Sequence, residues 1–355
     1  MKDNLLVYLS LPFTIGVGIT KFIPAFRDNP WAYAYAISAL LIVIISYFCF
    51  STRHKASTII ITFCLLGGLC GATEPLLYRD SRLPVFIYQY SILLKNSISS
   101  IPFSDNECCS LLIALLCGDR SELSSATITS FQKSGAAHIL ALSGLHLGII
   151  ASIIEKPLKL LGNNKIMVII RNMTIIILSG FYTLICGANA SLVRAFLFIS
   201  FRSIGKLFPD RKVSAENNLM TACLLQLFFH PSAILTASFQ LSYLACTGIV
   251  FIHPYLCSWL PTSKGLVSKI WNSLSLSISC QLCTAPIAFL HFHTFPKYFL
   301  LTNLLTLPAC EVLICAGLLL ITTNALAIKS RALIMLTEKT EKYMIYILKQ
   351  ISEMS

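Results

Sequence analysis

The chain has 355 residues, of which 56% are hydrophobic and only 12% are charged, and its mean hydropathy is +0.76. Soluble globular domains carry about 25% charged residues, so this composition excludes an ordinary soluble enzyme and indicates an integral membrane protein. The 27 basic and 15 acidic side chains leave a net charge of +12. Basic loops between membrane spans explain much of this excess, so it does not by itself require a nucleic-acid-binding surface.

Apolar segments long enough to cross about 30 Å of hydrocarbon recur along the whole chain. They predict an all-α fold, a polytopic integral membrane helical bundle of about ten spans. The predicted spans cover residues 5–23, 31–50, 57–77, 136–155, 166–187, 190–206, 214–230, 233–253, 270–293 and 299–327. We expect the first span to stay in the mature protein, because no small-residue cleavage site follows it.

Lysine and arginine are distributed unevenly over the predicted loops. With a cytoplasmic amino terminus, fourteen of them fall on the cytoplasmic side, and the short outer loops hold only Lys21, Arg27 and Lys297. Because basic loops favour the cytoplasm, the amino terminus is predicted to be cytoplasmic.

Composition divides the chain into four regions. They are a three-span amino-terminal region (1–77), extracytoplasmic or interfacial amphipathic helices (78–134), a membrane core (135–330) and an amphipathic carboxy-terminal tail (331–355). In the second region, apolar residues recur at helical spacing between Pro84 and Pro102. Gly118 is predicted to end the next helix, and Ser121 with Glu122 to begin another.

The fourteen cysteines do not form a metal-ligand pattern. Seven lie singly in apolar spans, where cysteine acts as a small hydrophobic residue. The segment "CQLC", Cys280 to Cys283, has ligand spacing but no second pair. A Gly-x-x-x-x-Gly-Lys-Ser/Thr loop is also missing. We therefore predict no metal and no cofactor.

Polar side chains interrupt the apolar stretch "HILALSGLHLGII", residues 138 to 150. On a continuous helix, His138, Ser143 and His146 would fall within an arc of about 140°. Gly144 and Gly148 have the spacing that lets a neighbouring helix approach closely. The polar face either lines a water-filled path or forms hydrogen bonds between helices, and the sequence leaves both interpretations open.

Arg194 is a second candidate, near the start of "SLVRAFLF". With Ser191 as the predicted N-cap, the guanidinium and the positive helix end would together attract an anion. Glu311 is a candidate ion-pair partner, and Asn303 shares its helix face. The alternative is a snorkelling or structurally paired arginine. Further polar candidates within the spans are Gln240, Ser242 and Gln281.

Four blocks of the sequence resemble the ComEC competence family, in the family's order over residues 110 to about 320. They are "CSLLIALLCGDRSELSSATITSFQKSGAAHILALSGLHLGII", "CGANASLVRAFLFIS", "HPSAILTASFQLSYLACTGIVF" and "SCQLCTAPIAFLHFHTFPKYFLLTNLLTLP". The resemblance implies a multi-pass protein of the bacterial cytoplasmic membrane that carries transforming DNA. The implied partners are single-stranded DNA, an extracytoplasmic DNA receptor, a cytoplasmic DNA translocase, single-stranded-DNA-binding proteins and membrane lipids. A homo-oligomer is left open.

The sequence also departs from the family pattern. Too few residues separate the third span from Gly118 for the small β-barrel that many members insert. Many members also carry a metallo-β-lactamase-like domain with a His-x-His-x-Asp-His cluster. Only the first spacing occurs here, in "HFHTF", His291 to Phe295. We expect the nuclease-like domain to be absent and predict no catalytic residue.

The predicted function is a channel or permease core that conducts single-stranded DNA into the cytoplasm. A non-conducting assembly component of a DNA-uptake machine is one alternative. An intramembrane serine hydrolase is another, with Ser143 as nucleophile and His138 or His146 as base.

Overall fold

The computed structural model describes residues 5–23, 38, 41, 55–77, 85–208, 214–260, 265–292, 297–328 and 330–354. Within them the fold is all-helical and contains no strand, which confirms the predicted class. The helices are α1 Leu5–Phe22, α2 Lys55–Leu77, α3 Val85–Ser99, α4 Asn106–Cys117, α5 Ser125–Lys133, α6 Ala137–Leu140, α7 Gly144–Lys159, α8 Lys165–Ile185, α9 Ala190–Gly205, α10 Ala215–Phe229, α11 Ala237–Thr247, α12 His253–Ser258, α13 Leu266–Phe292, α14 Phe299–Ala325 and α15 Arg331–Met354. A 3₁₀ turn precedes α11, and a π-helical turn joins α11 to α12.

Five of the described helical segments are long and apolar enough to cross a membrane, so the chain is a membrane protein. They are Ser57–Glu74, Lys165–Ile185, Ala237–Ser258, Val267–His291 and Phe299–Ala325. Two shorter apolar helices are Leu9–Phe22 and Asn106–Cys117. The total of about ten spans stays a prediction, and nearly all of the predicted span 31–50 lies outside the described residues.

The predicted span 136–155 is broken, so the prediction of one continuous helix was wrong. Helix α6 ends at Leu140, Ala141 and Ser143 have extended backbones, and α7 begins at Gly144. Leu140 and Leu142 are both buried, which anchors the chain on either side of Ala141. The break also removes the shared arc predicted for His138, Ser143 and His146, because His138 lies on a different helix from His146.

Helices α1 and α2 pack in parallel at close range. A Cβ at Gly67 would overlap the backbone carbonyl of Phe13, and one at Gly71 would overlap the Thr20 hydroxyl. Both contacts, together with the ion pair between Lys21 and Glu74, join residues that differ by 51 to 54 positions. Because the residue number on α2 rises with the residue number on α1 at a nearly constant offset, the two helices run in the same direction.

The largest buried core surrounds α4. Leu111, Leu112, Leu115 and Leu116 are at most 1% exposed. They pack with buried residues of α14 and α15, so the tail helix is part of the bundle. Gly118 ends α4 in the left-handed region, with φ 79°, and donates its N–H to Ala114, as the sequence predicts.

Candidate functional site

The break between α6 and α7 is built by a reciprocal cap. The Ser143 hydroxyl accepts the backbone N–H of Leu145 at 3.3 Å, and Nδ1 of His146 accepts the backbone N–H of Ser143 at 3.3 Å. Since Nδ1 is an acceptor, a neutral imidazole carries its proton on Nε2. His146 is 1% exposed, and its Nε2 has no hydrogen-bond partner among the described residues. The cap therefore leaves one buried N–H donor unused.

His138 lies on the other side of the break and is exposed. Its Nδ1 is 3.0 Å from the carbonyl oxygen of Gly135, so Nδ1 carries the proton and donates. The guanidinium of Arg120 holds the end of α6, because its Nε donates to the carbonyl of Leu140 at 3.1 Å. Arg120 was not singled out from the sequence, because it lies between two other charged residues, Asp119 and Glu122, in the block that leads into the break.

Arg194 joins α9 to α11 and lies beside the start of α7. Its Nη1 donates to the carbonyl oxygen of Ser242, and the hydroxyls of Ser191 and Ser242 are 2.9 Å apart. A Cβ at Gly144 would lie 3.1 Å from its Nη2. The side chain is 8% exposed. The structure therefore brings Arg194, Ser191 and Ser242 together at the amino-terminal end of α7.

Three predictions around Arg194 were wrong. Asn189, not Ser191, caps α9 by accepting the N–H of Leu192 at 3.0 Å. Among the described residues no ion pair joins Arg194 to Glu311, because α14 turns its Cys310 and Leu313 face to the core and leaves Glu311 exposed. A Cβ at Gly148 would meet nothing within 4 Å, so this glycine does not support close helix packing.

The remaining candidates lie apart from the Arg194 contacts. Gln240 donates to the carbonyl of Ile234 at 2.8 Å, and its Oε1 is 3.0 Å from Nε2 of His291. These two polar side chains border a cavity of about 460 Å³ whose other walls are apolar. Gln281 is half-buried on α13. Asn303 on α14 has a buried Oδ1 without a hydrogen-bond partner among the described residues.

A buried ion-pair network fastens α1 and α2 to the turn after α10. Glu74 is 2.7 Å from Nζ of Lys21, and it accepts the N–H and hydroxyl of Ser232 at 2.8 Å each. Nδ1 of His230 lies 3.2 Å from the same carboxylate. From the sequence, Lys21 was counted only as an outer-loop cation, and Glu74, a lone acid at the end of an apolar span, was not proposed as its partner.

Metal-ligating side chains do not converge in the part of the chain that the structure describes. No group of three or more His, Cys, Asp or Glu residues there could hold an ion. The polar groups around the break are instead N–H donors and hydroxyls, so the arrangement suits an anion or another hydrogen-bond acceptor.

The fold and the broken helix define a polytopic α-helical membrane protein with a polar interruption inside the bundle. Residues 115–355 match the sequence model of the family described as "Competence protein", so the chain belongs to that family. It is also similar to "ComE operon protein 3" of Bacillus subtilis (strain 168), with 31% identity over 219 residues. The aligned part is 60% of this chain but only 26% of that relative. No solved structure matches the chain. Family membership points to a role in DNA uptake.

Proposed function

We propose that the chain is the conducting core of a DNA-uptake channel in the cytoplasmic membrane, with its amino terminus in the cytoplasm, and that single-stranded DNA passes along the break between α6 and α7. One observation carries the proposal. The unused Nε2–H donor of His146 is buried at the same helix end as the guanidinium of Arg194.

The electrostatics of this helix end suit a passing phosphate. The first turn of α7 contributes partial positive charge from its backbone N–H groups. A guanidinium has five N–H donors, so the bond to the Ser242 carbonyl leaves others for an anion. The imidazoles of His138 and His146 and the hydroxyls of Ser191 and Ser242 can add hydrogen bonds from groups that carry less charge than a guanidinium. Weaker contacts of this kind allow release of the strand as well as binding. The assignment of Gln240, Gln281, Asn303 and Glu311 to the same path stays a prediction.

The proposal implies partners on both sides of the membrane. DNA must be delivered by an extracytoplasmic receptor, and a cytoplasmic translocase with single-stranded-DNA-binding proteins must draw it inward. The sequence shows no phosphate-binding loop for a nucleotide. Energy is therefore expected from these partners, and we assign no catalytic residue.

The experiment separates the two nitrogens of His146. In cells lacking the protein, uptake of fluorescent DNA is measured after complementation with wild type, His146→Asn or His146→Gln at matched membrane abundance. Asparagine keeps an acceptor near the Nδ1 position and removes the Nε2 donor, whereas glutamine places a donor near Nε2 and removes the cap. We expect His146→Asn to lower uptake about tenfold or more, the effect of one lost hydrogen bond to a charged group. His146→Gln should retain more uptake.

The outcomes distinguish conduction from assembly. Loss of uptake without the protein, with full rescue by His146→Asn, would favour the non-conducting assembly component. Normal uptake without the protein would reject both roles. Arg194→Lys serves as the second arm, because it keeps the charge but not the array of donors. Uptake by this variant is expected to fall as well.

A serine hydrolase remains the second candidate, since the Ser143 hydroxyl is 3.2 Å from Nδ1 of His146. The same contact belongs to the helix cap, and no described group orients the imidazole through Nε2. Covalent labelling of Ser143 by a fluorophosphonate probe would support hydrolysis. Absence of labelling in a folded, uptake-competent protein would reject it.

A further inference from the structure

The tail helix α15 packs against α14, α5 and α4 with one face. The buried residues of this face are Thr337, Glu341, Met344, Ile345, Leu348 and Ile351. Glu341 is thus a carboxyl among mostly apolar neighbours. It is 2% exposed, and its Oε2 has no hydrogen-bond partner among the described residues. A charged carboxylate in such a position is strongly disfavoured.

Three other carboxyl groups, those of Asp105, Glu107 and Glu338, disfavour a negative charge on Glu341 by electrostatic repulsion. Each of the three has hydrogen-bond partners of its own. Asp105 accepts the N–H of Glu107 at 3.0 Å. Glu107 accepts the hydroxyls of Ser124 and Thr127, and Glu338 accepts the N–H of Ser104 at 2.6 Å. Glu341 is therefore the member of this group that retains an unpartnered, buried oxygen.

The charged groups around Glu341 offer little compensation. Those that act on it are Asp105, Glu107, Glu338 and Lys342, and Lys342 is the only cation among them. The buried thiol of Cys108 also faces it. Helix α5 carries one charged residue, Lys133, and α14 carries one, Glu311, and both are exposed. Burial, reinforced by the neighbouring carboxylates, raises the pKa of Glu341 to about 7.

We propose that Glu341 is a proton-binding carboxyl whose protonated form holds the tail helix against α4 and α5. Taking a proton from bulk water forms an O–H bond at the carboxyl and removes the buried charge. Losing that proton to water places a negative charge on the buried Glu341 beside the carboxyls of Asp105, Glu107 and Glu338, which disfavour it. The tail helix then loosens from the face that contains the amino-terminal ends of α4 and α5.

The direction of the pH dependence follows from the shift. A carboxyl whose pKa is raised in the docked state binds its proton more tightly there than when it is exposed to water. Docking is therefore strongest in acid and weakens as the pH rises from the ordinary glutamate value of about 4.3 to about 7. Above that window it stays at its weaker level.

The test is hydrogen exchange of α15 in the purified full chain, in lipid nanodiscs, from about pH 5 to about pH 8, corrected for the intrinsic exchange rate at each pH. Wild type should lose protection of α15 as the pH rises to about 7. Glu341→Gln should keep high protection throughout, because the amide mimics the protonated acid. Glu353→Gln, at an exposed position of the same helix, should follow wild type. Equal protection of wild type at all pH values, or a wild-type profile in Glu341→Gln, would overturn the proposal.

Infrared spectroscopy of the wild-type protein gives a second readout that needs no variant. The carbonyl band of a buried protonated carboxyl should be present in acid and disappear near the upper end of the window. Its absence in acid would also reject the proposal. If millimolar Mg²⁺ or Ca²⁺ restored the protection of wild-type α15 at about pH 8, the carboxyl cluster around Glu341 would be a divalent-cation site instead. These results do not depend on whether the His146 variants take up DNA.

Discussion

Ser143 and His146 cap each other across the first turn of α7. The imidazole accepts the serine N–H through Nδ1, and the serine hydroxyl accepts the N–H of Leu145. This relationship fixes the imidazole tautomer and separates its two nitrogens by role. One nitrogen holds the broken helix in place, and the other remains free to donate. Predictions about structure and about DNA uptake can therefore be tested with different variants.

Removal of the cap hydroxyl should affect stability. We expect Ser143→Ala to lower the free energy of unfolding by about 1 kcal/mol, the usual effect of losing a serine N-cap. Thermal unfolding in detergent measures the change. Ser152→Ala is the matched control, because Ser152 is exposed on the same helix and, among the residues that the structure describes, its hydroxyl bonds only the carbonyl of Gly148. Equal melting temperatures for the two variants would show that the hydroxyl does not cap α7.

The Lys21–Glu74 pair should behave as a buried ion pair. Both residues are less than 10% exposed. Glu74→Gln alone should therefore cost about 3 kcal/mol, because the Lys21 ammonium is left buried. Lys21→Met should cost less, because Ser232 and His230 still contact the Glu74 carboxylate. The double variant should cost less than the sum of the two single ones. Simple additivity in the double-mutant cycle would mean that the two charges do not interact in the folded protein.

Two glycines offer a contrast in packing. Gly67→Ala should destabilise by about 2 kcal/mol, because the added methyl group overlaps the carbonyl of Phe13 and separates α1 from α2. Gly148→Ala has open space within 4 Å, so the better helix propensity of alanine should stabilise by about 0.5 to 1 kcal/mol. Unfolding of both variants under one condition tests this pair. Opposite signs are expected, and a stable Gly67→Ala protein would contradict the close approach.

The ion pair between Lys95 and Asp119 should be insensitive to pH near neutrality. The hydrogen bond from Lys95 lowers the pKa of Asp119 to about 2. A lowered carboxyl pKa gives stability that is present above the ordinary value of about 3.9 and is lost as the pH falls through about 2. Both side chains are about one-third exposed, so Asp119→Asn should cost less than about 1 kcal/mol.

The stability difference between wild type and Asp119→Asn, measured at several pH values, checks this prediction. It should be constant from about pH 5 to about pH 8 and shrink only in strong acid. A difference that changed near pH 7 would contradict the lowered pKa of Asp119.

The all-helical fold could be predicted from the sequence because long apolar runs admit few other structures in a membrane. The end of α4 was also predictable, since Gly118 supplies the left-handed conformation that a helix end requires. The start of the next helix was misplaced at Ser121. Ser124 is the cap, because its hydroxyl accepts the N–H of Thr127 and also reaches Glu107 of α4. The second of these contacts is distant in sequence.

The site was predicted in its residues more than in its geometry. His146, Arg194 and Ser242 stand out as polar groups in apolar runs, but hydropathy does not reveal that Ser143 interrupts the helix between His138 and His146. Helical spacing also cannot show which way α14 turns, so Glu311 was wrongly paired with Arg194. Arg120 was missed because its role depends on a hydrogen bond to the Leu140 carbonyl. Glu341 was missed because its burial and the acids near it depend on how α15 packs against α4 and α5.

The most direct test of the proposed path is site-specific photo-crosslinking during DNA uptake. A photoreactive amino acid replaces His138, which is exposed at the break, and in a control it replaces Ile166, which is exposed on α8. Fluorescent DNA is then added to competent cells and crosslinked while it is entering. We predict that the strand is captured at position 138 and not at position 166. Equal capture at both positions, or no capture at position 138 while uptake proceeds, would contradict conduction along the break.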